Sequence, residues 1–356
     1  MKAAPARTAP SVLVCSVQAP FVTGGAEILV GELRDNLVRR GFRVDVVNIP
    51  FHGHPPSELV RQALAWRLLE VHEPSGKSID LVIPTKFPSY LVRHPRKVTW
   101  LFHQHREAYD LLGTPYCSLT DSEEDRRVRE AIRTMDDTAL LECRSLFTIS
   151  RNVADRLRRF NGLSGAPLYP PPQQLGRYRT DGYGDFLFYA GRLERLKRLD
   201  LALGALARTK CPARLKLAGA GPLREELEKQ ALRLGLEDRV EFLGFVSADE
   251  LLALYASCRA AYYAPVDEDY GYVTVEAFLS RKPVLTTTDA GGPLEFVTDG
   301  ESGIVAQPEP AAVAEAIDRL WALPEAKLRE MGEAGHGRVA HIGWDHVIDR
   351  LTEGIR

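Results

Sequence analysis

Short apolar runs alternate with helical patterns along almost the whole chain, and this rhythm limits the available folds more than any other feature. Such alternation builds βαβ units and parallel sheets. In the first half, strands are predicted at 12–17, 43–48, 80–84, 97–102 and 145–150, and helices at 26–39, 57–71 and 123–142. Leu168-Tyr169-Pro170-Pro171-Pro172 then stiffens the chain and removes three backbone donors. A second series follows, with strands at 186–190, 215–218, 240–243, 260–263 and 284–287 and helices at 199–208, 223–234, 248–256, 272–280 and 311–323. A last helix, around 344–353, comes after the second sheet is complete. A chain of 356 residues exceeds what one core usually covers. The reading is α/β, with two Rossmann-like domains facing each other across a cleft, 1–172 and 173–340.

Composition removes several function classes. Net charge −2 gives no general pull toward nucleic acid or anionic membrane. No apolar run reaches membrane-spanning length. The Ala/Pro-rich start, 1–10, lacks an apolar signal core and reads as floppy. Cys15, Cys117, Cys143, Cys211 and Cys258 show no metal or redox spacing and read as reduced cytoplasmic thiols. From 144 to 160 five Arg face one Asp. A helix carrying Arg151, Arg156, Arg158 and Arg159 allows peripheral contact with an inner membrane face, against the plainer reading of a solvated face.

The residues that carry chemistry cluster just after predicted strands, where open α/β sheets bind ligands. Glu268 follows the strand at 260–263, and Glu276 is read two turns into the helix opened by Gly271. Two carboxylates around a helix start can grip hydroxyls on either side of a phosphate resting on the N–H groups of Gly271, Tyr272 and Val273. Arg192 and Lys197, in Gly191-Arg192-Leu193-Glu194-Arg195-Leu196-Lys197-Arg198, can bring two cations onto one diphosphate. Gly24 and Gly25, in Thr23-Gly24-Gly25-Ala26-Glu27, let a phosphate approach a helix start. Gly219-Ala220-Gly221-Pro222 reads as a structural turn. His103-Gln104-His105-Arg106 closes another strand, with no third ligand for a metal. His52-Gly53-His54 reads as an exposed loop. In Asp289-Ala290-Gly291-Gly292-Pro293-Leu294-Glu295, Glu295 reads as a cap for the next helix. Asp267-Glu268-Asp269 contains Asp-x-Asp, but no metal is read there.

Taken in order, the Gly-Arg…Lys, Gly-x-Gly-Pro, Glu-x7-Glu and Gly-Gly-Pro segments resemble those of family-4 retaining glycosyltransferases of the GT-B type. The likeness is dense over 183–305 and thinner over 11–106. Tyr270 stands where the family usually has Phe or Leu, and Arg198 where many members have Gly. The resemblance implies that Glu268 holds the donor sugar and Glu276 the ribose. It implies that Arg192 and Lys197 neutralise the departing diphosphate and that His103 orients the sugar. It implies no metal and no cofactor, and a C-terminal helix at about 341–356 that packs back on the first domain. The expected activity is metal-independent, retaining transfer from a UDP- or GDP-linked sugar to a glycan, glycolipid or small-molecule acceptor. The alternatives are a GT-B sugar-nucleotide epimerase or phosphorylase, and a non-catalytic nucleotide-sugar-binding protein. Nucleic acid is not an expected partner.

Overall fold

The computed structural model describes residues 9–21, 24–74, 76 and 78–355. Most of the Ala/Pro-rich start lies outside these, as does Thr23 of the first glycine loop. Among the described residues every strand pairing is parallel. The chain divides into two compact units: the chain to Pro170 together with Gly343 onward, and Pro171–Ile342.

The first unit contains β1 (Ser11–Gln18), α1 (Gly25–Arg39), β2 (Arg43–Pro50), α2 (Pro56–Leu68), β3 (Leu81–Pro84), β4 (Val98–Leu101), α3 (Glu123–Leu141), β5 (Ser145–Thr148), α4 (Arg151–Asn161) and β6 (Ala166–Pro167). Two three-stranded sheets, β2-β1-β3 and β4-β5-β6, meet where Val82 bridges Lys97. β1 is buried from Ser11 to Val17, which is why its run is apolar on both faces. Ser122 and Ser150 cap α3 and α4 through bonds to the N–H groups of Asp125 and Val153. Gly162, at φ +65, ends α4.

The second unit contains β7 (Phe186–Ala190), α5 (Leu199–Leu206), β8 (Arg214–Ala218), α6 (Arg224–Arg233), β9 (Val240–Gly244), α7 (Ala248–Ser257), β10 (Ala260–Tyr262), α8 (Tyr272–Leu279), β11 (Val284–Thr287), β12 (Gly303–Ala306), α9 (Pro310–Ala322) and α10 (Glu325–Val339). Its strand order is β12-β11-β10-β7-β8-β9. The chain runs outward from β7 through β8 to β9, returns to β10, and runs outward the other way. The order reverses between β7 and β10, and a crevice opens at such a switch point above the carboxyl ends of the strands.

α11 (Trp344–Leu351) belongs to the first unit. Trp344 meets Trp100 edge-on, with ring centroids 6.2 Å apart, and Arg350 lies 5.3 Å over the Phe147 ring. No helix among the described residues is long and apolar enough to cross a membrane.

The structure departs from the sequence reading in several places. β12 and α10 were not expected. α10 holds Gly332, Gly335 and Gly337, which blur a helical pattern. The first two allow close packing: a Cβ on Gly332 would sit 2.0 Å from the Arg281 carbonyl, and one on Gly335 would sit 2.3 Å from the Phe278 ring. The basic residues of α4 do not share one face. Arg156 is 5% exposed and lies 3.3 Å from Asp110, whereas Arg151, Arg158 and Arg159 are exposed. Glu295 does not stand at the start of the next helix: it ends a 3-10 turn, Gly292–Glu295, and α9 starts only at Pro310, with Glu309 at its N-cap.

Candidate active site

In the second unit two of the sequence-predicted residues, Lys197 and Glu268, meet at the switch point, with Arg192 on the same loop as Lys197. Arg192 and Lys197 follow β7, and Glu268 follows β10, its neighbour in the sheet. Gly191, at φ +152, turns the chain away from β7, and its N–H bonds the Ala218 carbonyl at 2.9 Å. The neighbouring glycines are structural. A Cβ on Gly219 would lie 2.0 Å from the Gly191 carbonyl oxygen, and one on Gly221 would lie 2.3 Å from that of Leu193. The β7 and β8 loops therefore touch backbone to backbone.

Lys197 forms an ion pair with Glu268, and its Nζ also lies 3.9 Å from Glu194. Both partners of the main pair are largely buried, at 16% and 17% side-chain exposure. Burial alone would lower the Lys197 pKa, but Glu268, Glu194 and Asp269 together hold it above the usual lysine value. Lys197 is thus firmly cationic. Arg192 is half exposed, with Glu194 at 3.6 Å. The Tyr263 hydroxyl donates to Glu268 Oε2 at 2.9 Å, and the Tyr189 hydroxyl donates to the Arg192 carbonyl at 2.8 Å.

Three backbone bonds pin the Glu268 loop to the Asp289–Gly292 segment: Asp267 N–H to Asp289 O at 2.8 Å, Glu268 N–H to Ala290 O at 2.8 Å, and Gly292 N–H to Glu268 O at 2.7 Å. Arg198 braces the two loops. Its guanidinium donates to the Ala264 and Pro265 carbonyls at 2.9 and 2.7 Å, to Thr287 Oγ1 at 2.8 Å and to the Asp289 carboxylate at 2.7 Å. Arg198 sits at φ +49, in the left-handed region, so a glycine is the easier residue at this position.

Gly271, at φ +89, stands outside α8 and opens it. The first turn of a helix has N–H groups without intrahelical partners and positive potential, which suits phosphate. Because α8 starts at Tyr272, Glu276 is its fifth residue, little more than one turn in rather than two. Its carboxylate accepts a bond from the Tyr255 hydroxyl at 2.7 Å. Burial raises the Glu276 pKa, with Tyr255 and Tyr178 working the other way.

In the first unit the order β2-β1-β3 places its own switch between β1 and β3. Gly24 is the N-cap of α1 and Gly25 its first residue. The Gly24 N–H is engaged within the unit, donating to Glu27 Oε2 at 2.8 Å. Glu27 Oε1 in turn holds Lys86 Nζ, on the loop after β3, at 2.6 Å. Burial would raise the Glu27 pKa, but Lys86 and the Gly24 N–H lower it. His103 lies two residues beyond β4, its Nδ1 2.9 Å from the Gln104 carbonyl. His105 is packed under this loop, and burial lowers its pKa to about 4, so it stays neutral near pH 7. His52 and His54 are exposed. Cys15 and Cys258 are buried thiols, and burial pushes Cys258 up to about 12. Among the described residues no group of three or more His, Cys, Asp or Glu is arranged to hold a metal.

Sequence reasoning missed Tyr189, Tyr263, Tyr255, the Arg198 brace and the Glu27–Lys86 pair. Glu27, three residues after Gly24, stands where an acidic side chain can reach back to the N-cap N–H, and that spacing is legible in the sequence. The tyrosines read only as apolar strand and helix positions.

Residues 176–338 match the family model described as glycosyl transferases group 1, nearly the whole of the second unit. The chain is 24% identical, over 92% of its length and 93% of the relative's, to an uncharacterized glycosyltransferase of Methanocaldococcus jannaschii. It is 33% identical to an alpha-1,3/1,6-mannosyltransferase of Mus musculus over 48% of this chain and 45% of that one. The chain thus matches less than half the length of that second relative. Among solved structures, sucrose-phosphate synthase from Thermosynechococcus elongatus superposes with a TM-score of 0.76 at 20% identity, over 97% of this chain and 98% of that one. The fold is GT-B, as expected from the sequence. The second unit thus resembles glycosyl transferases of group 1, and the chain is similar along its length to a glycosyltransferase.

Proposed function

We propose that this protein moves a sugar from a nucleoside-diphosphate sugar to an acceptor hydroxyl, with retention at the anomeric carbon. The observation that carries the reading is the gathering of Arg192, Lys197 and Glu268 at the β7/β10 switch point, beside the start of α8. Arg192 and Lys197 would bind the diphosphate, with the first-turn N–H groups of α8 and the Gly24-Gly25 loop assisting. Glu268 would hold sugar hydroxyls, Glu276 the ribose, and His103 would orient the sugar. In the reaction the bond from the anomeric carbon to the phosphate oxygen breaks, and a bond to the acceptor oxygen forms on the same face. The acceptor's proton passes to the leaving phosphate oxygen. The two cations stabilise the charge that grows on the diphosphate as the first bond breaks, which is when fixed cations contribute most. The mechanism needs no metal in this reading, and it is the same for a UDP- or a GDP-linked donor. A glycan, glycolipid or small molecule fits as acceptor, in a cytoplasmic setting.

The test is kinetic. Arg192→Ala and Lys197→Ala each lower kcat on the order of a hundredfold, with less change in KM. Arg192→Lys does not rescue, since a point charge cannot reproduce the forked guanidinium. Excess EDTA leaves wild-type turnover intact, and NMR finds the donor's anomeric configuration in the product. Wild-type rates in both alanine variants would place the donor site elsewhere. Loss of turnover in EDTA, restored by a divalent ion, would reopen Asp267-Glu268-Asp269 as a metal site.

A further inference from the structure

Two tyrosines support the two arms of the donor site from below. Tyr189 is the fourth residue of β7, and Tyr263 immediately follows β10. The strands are neighbours, and the rings stack with centroids 6.2 Å apart and planes 29° from parallel. Both residues are buried, at 0% and 4% exposure. A buried pair of rings needs no hydroxyls to pack, yet each hydroxyl is spent on a different functional loop. Tyr189 Oη holds the carbonyl of Arg192, and Tyr263 Oη holds Oε2 of Glu268. Lys197 Nζ stands 5.9 Å above the Tyr263 ring centroid.

The glycines of both segments are fitted to these rings. A Cβ on Gly191 would lie 2.9 Å from Tyr189 Oη. A Cβ on Gly271 would lie 2.8 Å from Tyr263 Cε1. The backbone therefore makes room for each tyrosine at the residue that turns its loop.

We propose that Tyr263 is the positioning residue for the sugar-holding carboxylate, and that Tyr189 is its counterpart for the phosphate-binding loop. The inference rests on the donor-site reading above. Without donor, Lys197 neutralises Glu268. A diphosphate competes for Lys197. When the cation turns toward phosphate, the Tyr263 hydroxyl still holds Oε2, because its bond does not involve Lys197. The carboxylate then keeps the orientation that this bond sets. Tyr189 acts earlier along the chain, on the backbone from which the Arg192 side chain projects, and so serves the diphosphate whether or not a sugar is attached.

The two roles separate in binding experiments on the full chain. UDP, UDP-glucose, GDP and GDP-mannose are titrated calorimetrically into wild type, Tyr263→Phe and Tyr189→Phe, and melting temperatures are recorded. For whichever pair binds wild type, Tyr263→Phe leaves the affinity for the bare diphosphate within about twofold. It weakens the sugar-bearing ligand about tenfold and lowers kcat with it. Tyr189→Phe weakens diphosphate and nucleotide-sugar by the same factor. Equal losses for both ligands in Tyr263→Phe, in step with its melting temperature, would mean that the pair only packs, and would overturn the proposal. Absence of binding of all four ligands to wild type would instead overturn the donor-site reading on which it stands.

Discussion

The Lys197–Glu268 pair fixes a measurable coupling between two residues seventy-one positions apart. With 16% and 17% side-chain exposure, neither charge is well solvated. Two unit charges 4 Å apart attract by about 1 kcal/mol in bulk water and about 4 kcal/mol near a protein surface. Burial places this pair toward the second figure, and residual solvent reduces it, so a coupling of about 2–3 kcal/mol is expected. Lys197→Met leaves Glu268 without its cation in a half-dry site and costs about 3 kcal/mol. Glu268→Gln costs a similar amount by leaving Lys197 exposed to the same desolvation. The double variant loses little more than either single one. Urea unfolding of the four proteins at pH 7 reads the coupling directly. The pH dependence is also set. The folded pKa of Lys197 is raised above its unfolded value, so this stabilisation is fully present below the unfolded value. It is lost only as pH rises through the folded one. On the lysine side the coupling is therefore constant across neutral pH and is lost only in strong alkali. A coupling below about 1 kcal/mol at pH 7, the range of exposed pairs, would refute this account.

Two further outcomes follow from the packing and the buried titrations. Gly221→Ala drives a methyl group to 2.3 Å from the Leu193 carbonyl and lowers stability by about 1–3 kcal/mol, whereas Gly337→Ala, inside α10 with nothing within 4 Å, raises it by up to about 1 kcal/mol; equal melting temperatures for the two would contradict the assigned contacts. Asp136 is buried, with the Tyr109 hydroxyl 2.8 Å from Oδ2, and desolvation raises its pKa from 3.8 to about 7. Its folded state binds the proton more tightly than the unfolded state, so stability falls as pH rises through that window, with a slope approaching about 1.4 kcal/mol per pH unit that Asp136→Asn removes. An unchanged slope in the variant would assign it to other groups.

The parallel architecture was legible because β1, β7 and β10 are buried on both faces and therefore read as unbroken apolar runs. The cation and carboxylate candidates were legible because they follow those runs directly. What stayed hidden depends on contacts between segments far apart in sequence. Nothing local marks Tyr263 as a partner of Glu268 rather than a core ring. The glycines of α10 look like helix breakers until Arg281 and Phe278 are seen against them. Arg156 looks like one more surface charge until Asp110 lies beside it. The helix start at Tyr272 was legible, and only the turn count to Glu276 was overstated, since four residues make little more than one turn.

The Arg198 brace makes the order of substitution matter at this site. An arginine at φ +49 carries backbone strain that a glycine escapes, and the strain is offset by bonds to Ala264, Pro265, Thr287 and Asp289. A lineage that replaces Arg198 by Gly first relieves the strain as it loses the bonds, and then leaves Thr287 and Asp289 free to vary. A lineage that replaces Asp289 first keeps the strain and leaves a guanidinium that is 11% exposed without its carboxylate, held by the Ala264, Pro265 and Thr287 oxygens alone. The two histories reach the same sequence through intermediates of unequal fitness. Positions 198 and 289 are thus expected to change in one direction more readily than in the other.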